Sequence, residues 1–321
     1  MKTKQNSSTK ALIFLKPAAQ ENPGKIDTRK LTMSNQNPLT KTSTFPGVNV
    51  LLMGSSGTGK THAIHTLVDS GLEVFCLFLE PGIETLISVY SRQNKPIPPN
   101  LHWHYIQPKT AGFTQLKNAA ETIGKFDLAG LTRMKDMTRS QNNQMVEVYE
   151  ILNNFTDQKT GEAYGSVDSW DTKRVLVIDS LSALNRICMD MVIGTKPVKD
   201  MADWGIAQNN LMSLLHKLTS GCICHFVLIA HVDRETDQIM GGVKLMVSAL
   251  GKAITSQIPQ PFSDVILATR DGDKFTWDTA NSLADVKTRN LPIAAKLPAD
   301  FGAIITQWQK NVTLAQASLP K

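Results

Sequence analysis

The stretch Gly54-Ser55-Ser56-Gly57-Thr58-Gly59-Lys60-Thr61 satisfies every fixed position of the phosphate-binding pattern G-x-x-x-x-G-K-[ST]. Such a loop works only between a buried strand and a helix. The apolar run Val48–Met53 before it reads as the strand, and Thr61–Val68 reads as the helix. The glycines allow a tight turn that aims successive N–H groups into one concavity, where a phosphate chain sits at the positive end of the helix. Lys60 is placed to reach the β- and γ-phosphates, and the Thr61 hydroxyl to hold Mg²⁺. This one segment commits the chain to an α/β fold and to nucleotide binding.

Further buried strands follow in the same style. Glu73–Glu80 is an apolar strand that ends in a carboxylate before the turn Pro81-Gly82, and a helix is expected over Ile83–Arg92. Arg174–Asp179 is a continuous apolar run ending in Asp. A central parallel strand delivers its carboxylate to the Mg²⁺ shell beside a phosphate loop in this way, which makes Asp179 the metal-side partner of Thr61. Ile223–His231 is another buried run ending in a polar residue. Asp264–Ala268 and Phe275–Trp277 flank a turn at Asp271-Gly272-Asp273 and read as a hairpin. Helices are expected over Leu181–Val192 and Asp203–Leu218, and in 112–154 on either side of Phe126–Gly130. In Leu101–Ile106 strand alternation puts His102 and His104 on one face, with no third metal ligand evident nearby.

Composition matters where it excludes. The chain has 321 residues, enough for one large α/β domain with insertions or for two small ones. No uninterrupted apolar run would span a membrane, and no signal-peptide core follows the N-terminus, so a cytoplasmic protein without a membrane partner is expected. Of the four cysteines, Cys76, Cys188, Cys222 and Cys224, three (Cys76, Cys222 and Cys224) lie in apolar strand-like runs and read as small buried hydrophobes, and Cys222-Ile223-Cys224 lacks the two-residue gap of a zinc or redox pair. The net charge of +6 resides in residues 1–46, where Lys2, Lys4, Lys10, Lys16, Lys25, Arg29, Lys30 and Lys41 face only Glu21 and Asp27. This basic flexible tail, with an apolar island at Ala11–Leu15 that could add as a strand to a neighbouring sheet edge, suits an anionic partner. Arg133, Lys135 and Arg139 form a second, modest basic patch.

The residue after Asp179 is Ser180, so a water-activating acid cannot sit there and must come from another strand end. Glu80 is the candidate, because C-terminal strand ends gather at the ligand crevice. These features, with Ile178-Asp179-Ser180-Leu181-Ser182 and a later strand ending at His231, resemble the RecA-like ATPases. Lys287-Thr288-Arg289 resembles their K-x-R finger. His231–Glu235 followed by Gly241–Lys244 is similar to stretches in phage-encoded RecA-like ATPases of the single-strand annealing and recombination group.

The resemblance covers about 48–302 and implies a RecA-like P-loop NTPase with a mainly parallel central sheet flanked by helices. It implies a domain over 47–302, with a C-terminal extension over 303–321. It further implies that ATP and Mg²⁺ are bound, that Glu80 polarises the attacking water, and that His231 senses the γ-phosphate. Lys287 and Arg289 would act in the neighbouring subunit of a homo-oligomeric ring or filament, and single-stranded DNA would be the partner. The segment Val232–Pro261, where the family has DNA-contacting loops, sets Asp233, Glu235 and Asp237 against Arg234, Lys244 and Lys252. It carries no Tyr or Trp, and Phe262 stands just beyond it. DNA as partner therefore rests on the resemblance. Rival readings are a ring-forming motor of the helicase kind, a nucleotide or small-molecule kinase, which would need an Arg-bearing lid that is not evident, and a slow ATP-bound switch.

Overall fold

The computed structural model describes residues 45–108, 112–133, 143–194, 196, 198–236 and 241–318. The tail over 1–44 with its apolar island, Lys135, Arg139 and Asp237 lie outside them.

The apolar runs become neighbours in one sheet. The strands are β1 (Asn49–Met53), β2 (Glu73–Phe78), β3 (Leu101–Tyr105), β4 (Arg174–Asp179) and β5 (His225–Ala230), then β6 (Val232–Thr236) and β7 (Val243–Val247), then β8 (Asp264–Asp271), β9 (Lys274–Asp278) and β10 (Leu297–Pro298). The order across the main sheet is β10-β9-β8-β1-β5-β4-β2-β3. From β8 to β3 all neighbours are parallel, and β9 and β10 extend the β8 edge antiparallel. The fold is therefore the α/β sandwich expected, with a mainly parallel sheet between helices.

Strands that are apolar on both sides need cover on both sides. One face packs residues such as Leu51, Phe75, Ile178 and Leu228 against α6 (Gln144–Asn153), α7 (Leu181–Ile193) and α8 (Met201–Ser220). The other packs Leu52, Val74, Val177 and Ile229 against α1 (Lys60–Ala63), α2 (His65–Asp69), α3 (Ile83–Arg92) and α9 (Phe301–Ala317). Two further helices, α4 (Phe113–Ile123) and α5 (Leu128–Arg133), precede α6, so a helix begins inside the expected break at Phe126–Gly130. The helix after the phosphate loop is likewise divided, at Ile64.

Three features depart from expectation. The boundary expected at 302 falls inside α9, whose Phe301, Ile304 and Ile305 are buried against the sheet and whose first turn is capped by Asp300 Oδ1 accepting from Gly302 N–H. Within Val232–Pro261, β6 and β7 form a separate two-stranded antiparallel sheet rather than a plain connection. Finally, the outer edge of β3 is covered by side chains and by one backbone amide. Trp103 N–H donates to Asp157 Oδ1 and Tyr105 N–H to Gln158 Oε1, while Gln158 N–H and Nε2 donate to Trp103 O and Tyr105 O. Lys159 Nζ takes Leu101 O. A row of paired groups offers no template for an added strand at this edge. The same segment engages both strand histidines. His102 is buried, 3.0 Å from Asp157 Oδ2, and His104 Nδ1 meets Thr156 O at 2.8 Å, so neither is a free metal ligand on an exposed face.

Candidate active site

β1 ends at Met53, and the chain turns at Gly54, where a Cβ would stand 2.5 Å from Ala268 O of β8. Only glycine lets the loop leave the sheet that close to its neighbour strand. Gly57 and Gly59 take φ of 77° and 78°, the left-handed turns needed to fold the backbone around a phosphate. Lys60 Nζ lies at 2.8 Å from both Gly54 O and Ser55 O, and Thr58 Oγ1 donates to Ser55 O, so the loop is braced from within. Ser56 completes the loop at the mouth of the cavity.

Thr61 Oγ1 donates to Asp179 Oδ2 at 2.6 Å. β4 and β1 are separated by β5 alone, so the end of β4 brings Asp179 to the foot of the loop. A hydroxyl and a carboxylate oxygen at one point are the hard oxygen donors that Mg²⁺ takes, so these two residues fit that ion. Burial pushes the Asp179 carboxyl up to about 6, the Thr61 hydrogen bond opposing it. Burial also lowers Lys60 to about 8, against the pull of Asp179 and Glu80. A site whose charges are held at such a cost is poised to receive compensating charge from a ligand.

Glu80 lies two residues beyond the end of β2, in the bend that follows, and His231 directly follows β5. Both open into one cavity of about 530 Å³ with Ser56, Gly57, Thr58, Gly59, Lys60, Thr61 and Asp179. Burial lowers the His231 imidazole, and the Lys60 charge adds to it. Its backbone oxygen accepts Ser248 N–H just past β7, which ties the end of β5 to the hairpin.

Lys287 and Arg289 do not join this cavity. Lys287 pairs with Val265 at the start of β8, and its Nζ donates to Gln260 O. The buried Asp264 carboxylate accepts from Thr288 Oγ1, Arg289 N–H, Asn290 N–H and Asn290 Nδ2. Asp264 stands opposite Val50, so this segment sits at the far end of the sheet from Gly54, about 13 Å along β1 at strand rise. Two of the basic residues of the hairpin region are occupied as well: Lys244 pairs with Asp285 at 2.7 Å and Lys252 with Glu235 at 3.2 Å. Phe262 is buried against Phe226 and offers no ring to a base.

The cavity also holds residues that carry no recognisable motif. Thr85, Ser88 and Arg92 come from one face of α3, their spacing being that of a helix, and His62, Arg270 and Phe275 complete the rim. The helical spacing on α3 was a usable signal. For Arg270 and Phe275 the hairpin was legible, but not that it folds over the loop.

Fold and site together define a P-loop ATPase domain of RecA-like type. A sequence profile described as an AAA domain matches residues 47–291, and the chain belongs to that family. No curated protein matches it in sequence. Among solved structures, it is similar to the RadB recombinase at 15% identity and a TM-score of 0.36, over 78% of this chain and 85% of that one. It is similar to a prototypical ATPase of the type III secretion system of pathogenic bacteria at 13% identity and a TM-score of 0.33, over 70% and 53% of the two chains. The ATPase EscN of enteropathogenic E. coli, solved with its central stalk EscO, matches at 12% identity and a TM-score of 0.35, over 86% and 56%. The chain thus spans little more than half the length of either secretion ATPase.

Proposed function

We propose that the chain is an Mg²⁺-dependent ATP hydrolase that works as a homo-oligomer on single-stranded DNA, in recombination, annealing or replication. The observation that carries the hydrolase reading is the meeting of Lys60, Thr61, Asp179 and Glu80 in one cavity at the ends of three parallel strands. Thr61 and Asp179 would hold Mg²⁺, which supplies charge to the β- and γ-phosphates. Lys60 leaves the Gly54 and Ser55 carbonyls for the phosphates. Glu80 takes the proton from the attacking water, and His231 contacts the γ-phosphate end and passes its state to the hairpin through the Ser248 bond. Lys287 and Arg289, held at the opposite end of the sheet, would act in the cavity of another copy, which is why the reading includes assembly. The DNA partner is carried by the likeness of His231–Glu235 and Gly241–Lys244 to phage-encoded ATPases of the annealing and recombination group.

The test is steady-state ATP hydrolysis over a protein-concentration series, with and without single-stranded DNA, beside Lys60→Ala. Specific activity should climb with concentration, and DNA should raise it. Turnover indifferent to DNA would remove the nucleic-acid partner, and turnover independent of concentration would remove the finger in trans.

A further inference from the structure

The parts of the cavity named so far account for one end of a nucleoside triphosphate. Glu80, Asp179 and His231 come from the tips of β2, β4 and β5, all on one side of β1 in the sheet. Across β1 the neighbour is β8, and the turn joining β8 to β9 folds back over the phosphate loop. The Phe275 ring lies so close to Gly59 that a Cβ there would come 2.4 Å from its Cγ. Its centroid is 5.2 Å from that of the His62 ring, and the Arg270 guanidinium sits over the ring, 5.8 Å from its centroid. Phe275 is partly exposed, and among the described residues it is the aromatic ring other than imidazole in the cavity wall.

We infer that Phe275, flanked by the Arg270 guanidinium, is the stacking platform for the nucleobase, so that the β8–β9 hairpin is a base-recognition element. This rests on the reading of the cavity as an ATP site and specifies its other end. A phosphate chain whose γ-end is fixed beside Glu80 and whose β-phosphate lies on Lys60 must leave the loop past Thr61 and His62. The wall met next is Phe275 and Arg270 on one side and the Thr85, Ser88 and Arg92 face of α3 on the other. A purine presents a flat, weakly hydrated face and a polar edge. The ring and guanidinium suit the face, and the two hydroxyls suit the edge. Among the described residues of this wall the other apolar side chains, Pro81 and Ile229, are not aromatic. The close contact with Gly59 gives the ring a rigid backing, which lowers the ordering cost of stacking.

The experiment compares two probes, ATP and inorganic triphosphate, each titrated with Mg²⁺ present into the full chain, Phe275→Ala, Phe275→Trp and Lys60→Ala. Phe275→Ala should weaken ATP about tenfold or more, as base stacking on an aromatic does, while triphosphate affinity stays within about twofold. Phe275→Trp should restore ATP. Equal losses for both probes would show that Phe275 only props the Gly59 turn and would overturn the inference. Undiminished ATP binding by Phe275→Ala would overturn it too. Either result leaves the ATP site standing, because the full chain still binds ATP and Lys60→Ala still loses both probes. Failure of the full chain to bind either probe would instead remove the site itself.

Discussion

Asp179 and Asp264 are both buried carboxylates at the ends of parallel strands, and they are furnished in opposite ways. Asp264, at the start of β8, is fully enclosed and accepts from Thr288 Oγ1, two successive backbone N–H groups and Asn290 Nδ2, with Ser263 Oγ at 2.8 Å. Asp179, at the end of β4, accepts one side-chain hydrogen bond, from Thr61, and burial raises its carboxyl to about 6. The first charge is met by the protein, and it ties a loop to the sheet. The second is left short of donors, as a group awaiting a cation is. Number of donors, not burial, separates the structural acid from the functional one.

The comparison breaks most visibly in turnover. Glu80→Gln, beside Asp179, should lower hydrolysis by about 10²–10⁴-fold if Glu80 is the base, whereas Asp264→Asn should leave a single subunit's ATP affinity intact. Wild-type turnover in Glu80→Gln would dismiss the base. In stability the order reverses. Asp264→Ala strands several buried donors and should cost about 3 kcal/mol in urea unfolding, and a loss under 1 kcal/mol would mean that water replaces the carboxylate.

Asp179→Asn should instead stabilise the chain in EDTA. Between pH 3.8 and about 6 the folded chain keeps a proton on Asp179 that the unfolded chain has released. Its raised pKa thus lowers stability as pH rises through that window, by at most about 3 kcal/mol above it. Thermal melts of wild type and Asp179→Asn should converge as pH falls towards 4, and a constant gap would exclude the burial cost.

His225 supplies a slope of the other sign. Burial lowers it from 6.5 to about 4, and its Nδ1 accepts Val48 N–H. Unfolding takes up a proton there below pH 6.5, so stability is full above that and falls by roughly 3 kcal/mol on the way to pH 4. His225→Asn, which keeps an acceptor without titrating, should flatten that fall in an acid unfolding series at the cost of a smaller loss at pH 7.

What could be read from the chain was what is local to it. Gly54–Thr61 and the strand Arg174–Asp179 sit where expected, because a phosphate loop and a doubly buried strand each impose their pattern on adjacent residues. Glu80 reaches the cavity from a bend two residues past β2. The β6–β7 hairpin escaped notice because Val232-Asp233-Arg234-Glu235-Thr236 is charged and largely exposed, and its pairing depends on Val243–Val247 beyond the turn. α9 carried a legible stripe, Phe301, Ile304, Ile305 and Trp308, at helical spacing. The cover over β3 was out of reach, since its acceptors and donors lie more than fifty residues from the strand they serve.

That cover has a consequence for how such a molecule behaves in a crowded mixture. A parallel sheet ending in a bare strand invites any extended chain to dock by backbone pairing, and such docking propagates into fibrous precipitate. Asp157, Gln158 and Lys159 occupy those backbone groups with three side chains and one amide. On that flank the molecule is closed to indiscriminate growth, and any association there must be won by side-chain complementarity.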